Sequence, residues 1–173
     1  STLVGPDASA LTITGSNVAP VFSFAEGTTN VLTGLCVAGV QTTQYVHGVA
    51  VQNAGVLTIG QCAFANNTTR GFGGAVYNRG YLVVLDTIFT SNRVAGAGGE
   101  NGCSPSTGNM IGGGGGGAGL GGALFTTLGY AVLKNCHFLG NQAQGGRGGG
   151  VMSMCGSGAG GGVNGGATPG QSG

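Results

Sequence analysis

Residues 73–92 read GGAVYNRGYLVVLDTIFTSN, and the pattern recurs upstream at 48–67 as GVAVQNAGVLTIGQCAFANN and downstream at 122–141 as GALFTTLGYAVLKNCHFLGN. Aligned on Phe64, Phe89 and Phe138, the copies also superpose Gly55, Gly80 and Gly129, then Ile59, Val84 and Leu133, then Asn67, Asn92 and Asn141. Four columns held in register identify an internal repeat, and the period bounds the fold before any single element does. The first step is 25 residues; the second is 49, which reads as two periods, one of them converted to glycine.

Within each copy, short apolar–polar alternations such as Val56-Leu57-Thr58-Ile59 and Tyr81-Leu82-Val83-Val84-Leu85 are broken by Gly or Asn. That is strand periodicity. Cys62 and Phe64, Thr87 and Phe89, and Cys136 and Phe138 are each two apart, so each pair points to one side of its strand, and the Phe column is expected inside. A repeat of this length is too short for a propeller blade and lacks the Asn/Leu signature of leucine-rich repeats. The expected class is all-β, each repeat forming one coil of a parallel β-helix, or solenoid. Coils stack about 4.8 Å apart, so Phe64, Phe89 and Phe138 with Ile59, Val84 and Leu133 would form a core ladder. Asn67, Asn92 and Asn141 would form a turn ladder whose amides satisfy one another.

The run Gly73-Gly74-Ala75-Val76-Tyr77-Asn78-x-Gly80, followed by Leu82-x-Val84 and Thr87-x-Phe89-x-x-Asn92, resembles the right-handed β-helix repeats of bacterial polymorphic outer-membrane proteins and related autotransporter passengers. Those families carry GGA-I/L/V and FxxN motifs. The stretches Leu11–Gly15, Val21–Phe24 and Val31–Val37 are similar to the first coils of such helices. The resemblance covers about residues 3–141 and implies a single-stranded right-handed helix; the chain length gives about five to six coils with two Gly-rich extended segments, fewer coils and longer Gly tracts than the family usually has. It is specific for fold rather than function, because the same coil serves adhesins, surface-layer proteins and polysaccharide-degrading enzymes.

The chain has 173 residues, of which 42 are Gly, and only 5% are charged, with a net charge of +1. Nucleic acid and anionic membrane surfaces are therefore poor partners. No apolar run approaches the length of a membrane span, so no membrane insertion is expected. The glycine is concentrated in 94–122 and 145–173, and the remainder is apolar enough for a packed core. The expected organisation is a β-helix domain at 1–141 carrying a Gly-rich insertion at 94–122, followed by a Gly-rich C-terminal segment at 142–173. The tracts read either as flexible linkers or as extended, polyproline-II-like strands that pack closely, the second segment on the insertion, because nothing protrudes from them.

Acid–base, metal and phosphate chemistry draw on residues this chain scarcely has. The acids are Asp7, Glu26, Asp86 and Glu100, and Asp86 shares its column with Gln61 and Asn135, so no acidic ladder crosses adjacent coils. His47 has no His or Cys at ligand spacing, and His137 alternates outward beside Cys136 and Phe138. The glycines of 109–117 are not followed by Gly-Lys-Ser/Thr, which excludes a P-loop, and a calcium-binding Gly-Gly-x-Gly-x-Asp repeat is absent. No catalytic residue, metal site or cofactor is expected, and the chain is not read as an enzyme. Among five Cys, Cys36, Cys62 and Cys136 read as core thiols. Cys103 and Cys155 lie at similar places in the two Gly tracts and are the candidate disulfide, which would indicate an oxidising, extracellular setting.

A short solenoid exposes unpaired backbone at both ends, and no capping helix is apparent. Head-to-tail stacking would be a heterologous contact that generates an open filament. The expected function is an extracellular or cell-surface structural subunit that self-assembles head-to-tail, aided by its Gly-rich segments, into a filament or biofilm matrix. The alternative is a fragment of an adhesin passenger that binds glycan or a host surface, for which Tyr81 and Tyr130, sharing one column, form a candidate aromatic strip. A polysaccharide-active enzyme, or ice binding by Thr residues that do not form one column, are minor alternatives.

Overall fold

In the computed structural model the described residues are 1–16, 18–99 and 115–149. They form strands and no helix. The chain divides into two compact units, Ser1–Val94 with Gly121–Gln142, and Ala95–Leu120 with Ala143–Gly173.

In chain order the strands are β1 (Thr2–Val4), β2 (Thr12–Ile13), β3 (Phe22–Phe24), β4 (Thr29–Thr33), β5 (Cys36–Ala38), β6 (Val51–Asn53), β7 (Val56–Gly60), β8 (Ala63–Ala65) and β9 (Thr68–Thr69). They continue with β10 (Val76–Asn78), β11 (Tyr81–Leu85), β12 (Ile88–Thr90), β13 (Arg93–Ala95), β14 (Leu124–Thr126), β15 (Tyr130–Lys134), β16 (His137–Leu139) and β17 (Gln142–Gln144). The sheets run in the orders β1-β4-β7-β11-β15, β2-β5-β8-β12-β16, β3-β6-β10-β14 and β9-β13-β17. Pairing is parallel and joins equivalent strands of successive repeats. Such an architecture is consistent with a β-solenoid.

The register explains the repeat column by column. Val84 lies between Ile59 and Leu133, and Phe89 between Phe64 and Phe138. The direct pairing of β11 with β15 corrects the reading of the 49-residue step as two periods. It is one step along the stack, and the surplus residues leave as Ala95–Leu120, which belong to the other unit. The repeated glycine of the first column marks a place where successive backbones touch: a Cβ on Gly80 would collide with the carbonyl oxygen of Gly55.

Between strands the chain turns through left-handed residues, again in columns. Gln61 (φ 49°), Asp86 (φ 48°) and Asn135 (φ 54°) form one, and Asn66 (φ 55°) and Ser91 (φ 53°) another. Asn and Asp tolerate this region because their short side chains hydrogen-bond locally. Inside, Leu32, Ile59 and Val84 are fully buried beside Leu57 and Leu82, and the rings of Phe64 and Phe89 stack at 5.1 Å and 12°.

The second unit is built differently. The amide of Gly96 donates to Gln144 O (2.7 Å) and that of Gly99 to Arg147 O (2.8 Å), so both runs advance three residues between bonds. A third run joins them, Gly117 N donating to Ala97 O (2.7 Å) and Gly146 N to Gly117 O (2.8 Å). A three-residue period is that of polyproline II, not of a β-ladder. Side chains are excluded where the runs meet: a Cβ on Gly96, Gly116, Gly119 or Gly146 would strike a carbonyl oxygen of the facing run.

Candidate functional site

The first unit offers an aromatic cluster, a groove and two open ends. The Asn turn residues lie along the side of the stack. Asn67 Nδ2 donates to Asn92 Oδ1 (2.9 Å), and Asn92 Nδ2 donates to Asn141 Oδ1 (2.9 Å). Each also reaches back one repeat to a main-chain carbonyl, Asn67 to Val37 (3.0 Å), Asn92 to Phe64 (2.9 Å) and Asn141 to Phe89 (2.8 Å). Asn67 and Asn92 are fully buried, so these bonds are made away from water.

A second buried Asn pair escapes the alignment read from sequence. Asn53 Nδ2 donates to Asn78 Oδ1 (2.8 Å), and each side chain also bonds the Gly two residues on. The signal was present as Asn-x-Gly at 53–55 and 78–80. In the next repeat Thr126 takes the Asn position, and its hydroxyl is the buried side-chain atom without a partner among the described residues. Restoring the column with Thr126→Asn is expected to raise stability by about 1 kcal/mol in urea unfolding, because an unpaired hydroxyl gives way to a bonded amide.

Cys62, Thr87 and Cys136 form a column in which each side chain donates to the carbonyl two residues before it: Gly60 (3.2 Å), Leu85 (2.7 Å) and Lys134 (3.4 Å). Burial pushes the Cys62 thiol up, which keeps it protonated and unreactive. Cys36 is buried, as the sequence reading expects, but by a different route. It pairs with Ala63, in the outward column of Ile88 and His137, although only 9% of it is exposed. Cys103 and Cys155 lie outside the described residues.

A groove of about 520 Å3 brings together Asp7, Gln61, Cys62 and Asp86. Sequence reasoning kept the two acids apart. Asp7 Oδ1 accepts from Ser9 N (2.7 Å) and Ser9 Oγ (2.6 Å), and these bonds, the hydroxyl first, hold its carboxyl below its ordinary value. Asp86 Oδ1 accepts from Asn135 Nδ2 (3.0 Å). Bonds that favour the ionised carboxylate work against Asp7 as a proton donor. Among the described residues no three His, Cys, Asp or Glu gather as a metal site.

Aromatic side chains gather at another corner, which the sequence did not reveal because the members come from different columns. His47 is stacked between Phe72 (4.9 Å) and Tyr77 (4.7 Å), with Phe125 beyond them and Tyr45 set edge-on. Tyr45 is 60% exposed at the rim of this cluster. His47 Nδ1 accepts the Phe72 amide (2.9 Å), and burial lowers its pKa. Protonation forfeits that bond, so the stability contributed here is present above the ordinary His pKa and declines as the pH falls from there toward the lowered folded value. Urea midpoints measured across that range should drop for the wild type and stay flatter for His47→Gln. Tyr81 and Tyr130 are paired in register on the outer face of the first sheet, 46% and 76% exposed.

The two ends correct the reading of the core ladder. Leu133 is 41% exposed and Phe138 46%, whereas Ile59, Val84, Phe64 and Phe89 are fully buried. Both belong to the last strands of their sheets, so among the described residues each has a strand neighbour on one side only. At the opposite edge Leu3, paired with buried Leu32, is 44% exposed. Comparison with protein-family models, curated proteins and solved structures gave no match to this chain.

Proposed function

We propose that the chain is a right-handed, single-stranded β-solenoid of five rungs, and that it serves as a non-enzymatic structural subunit assembling with copies of itself into a filament or matrix at a cell surface. The observation that carries this reading is the exposure of ladder residues at both sheet edges, Leu3 and Leu133, in a column whose central members are fully buried. Parallel edges with unpaired amides and carbonyls favour addition of a further strand, and natural proteins usually block them with charge. Here β1 carries no charged side chain and β15 only Lys134. The extracellular setting rests on the resemblance to autotransporter passengers.

Sedimentation velocity over a concentration series, followed by electron microscopy, tests the reading. Filaments growing by about 24 Å per subunit, five rungs at the strand spacing, are expected. Monomers at every concentration would sink it. Tyr81 and Tyr130 favour a second reading, a glycan-binding adhesin surface, because their exposed rings are adjacent on one face. A glycan array on the wild type and on Tyr130→Ala separates the two, since the filament reading requires no sugar signal.

A further inference from the structure

The geometry points to one contact within that assembly: the last rung of one copy, β15 and β16, receives the first rung of the next, β1 and β2, in the register that continues both core ladders. This inference rests on the self-assembly reading and adds to it the surfaces, their polarity and their alignment. In the first sheet the inward column is Leu3, Leu32, Ile59, Val84, Leu133. In the second it is Ile13, Val37, Phe64, Phe89, Phe138. Placing Leu3 of a second copy over Leu133 sets Ile13 over Phe138 in the same movement, so one translation along the axis closes both ladders.

Polar groups agree with that register. Asn92 Nδ2 bonds both Phe64 O below and Asn141 Oδ1 above, whereas Asn141 Nδ2 bonds Phe89 O alone. Its second N–H is therefore left for an acceptor one rung higher. Surfaces taken from opposite ends make the contact heterologous, and a heterologous contact without rotation to closure extends indefinitely.

Two blocked variants test it. Leu133→Lys closes the last rung and Leu3→Lys the first, and both positions are exposed enough for the monomer to fold, which a urea transition matching the wild type checks. Each variant alone should remain monomeric at concentrations where the wild type forms filaments. An equimolar mixture should give a dimer and nothing longer, since each partner keeps one competent end. Dimers from a single variant would mean an end-to-like-end contact, and filaments from both variants would mean lateral assembly; either overturns the inference while leaving self-assembly standing. A wild type that stays monomeric removes the self-assembly reading itself.

Discussion

Asn92→Ala is expected to lower stability by about 3–5 kcal/mol, measured as the free energy of urea unfolding of the monomer. The side chain is fully buried and makes bonds in both directions along the stack. Its amide group donates to Phe64 O and Asn141 Oδ1, while its oxygen accepts both the side-chain amide (2.9 Å) and the main-chain amide (3.2 Å) of Asn67. Alanine leaves two Asn67 donors, the main-chain amide and one side-chain N–H, buried without an acceptor, and each such group costs about 1–3 kcal/mol. Asn141 is spared, because its oxygen still accepts the Asn92 main-chain amide (2.9 Å). The same substitution at Asn141 should cost only about 1 kcal/mol, since water reaches the exposed end and replaces part of what is lost. Asn92→Asp separates hydrogen bonding from size. It keeps the acceptor but turns both donors into oxygens facing oxygens, so it should be at least as damaging as alanine at neutral pH and recover partly in acid, where the carboxyl regains a proton to donate. Equal losses at positions 92 and 141 would show that the ladder does not act as a connected unit.

The contrast between those two positions also shows what could be read from the sequence. Strand periodicity and a four-column alignment are local properties, and they suffice for an all-β chain of parallel sheets, because a side chain that repeats every 25 residues has nowhere to pack except on its own copy. Position along the stack is not local. Phe64, Phe89 and Phe138 look alike in sequence, yet the last is nearly half exposed, since burial in a ladder depends on what lies on the far side. The 49-residue step misled for a related reason: an excursion that returns to the next rung leaves the register of the flanking strands unchanged, and only pairing reveals it. The aromatic corner stayed hidden because Tyr77 and Phe125 share a column only at an offset of 48 residues, one short of the 49 that aligns the Phe ladder, and Tyr45, His47 and Phe72 come from the neighbouring turns. In the second unit the glycines gave composition without direction. The three-residue advance of the Gly96 and Gly99 bonds is what distinguishes packed polyproline-II-like runs from a linker.

Phe89→Ala carries the other large expected loss, about 3–5 kcal/mol in the same urea measurement. Its ring is fully buried and lies between two parallel neighbours, Phe64 at 5.1 Å and Phe138 at 4.7 Å. Truncation leaves a void bounded on both sides by rungs fixed at the backbone hydrogen-bond spacing, and a site that cannot collapse retains the full cavity cost. Phe138→Ala removes a ring of the same chemistry that covers Phe89 on one side only, and with 46% of it already in water the monomer should lose about 1–2 kcal/mol. The two substitutions therefore differ in the monomer and should converge in the filament. There Phe138 acquires a rung above it, and the deletion removes contacts on both of its faces. Comparing each variant's monomer stability with its critical concentration for assembly tests this coupling. Phe138→Ala should raise the critical concentration by roughly tenfold or more, the effect of about 1.4 kcal/mol per contact, while costing the monomer little. An unchanged critical concentration would mean that nothing packs on Phe138 when the chains associate, and the exposed end of the aromatic ladder would then be a feature of the isolated fold alone.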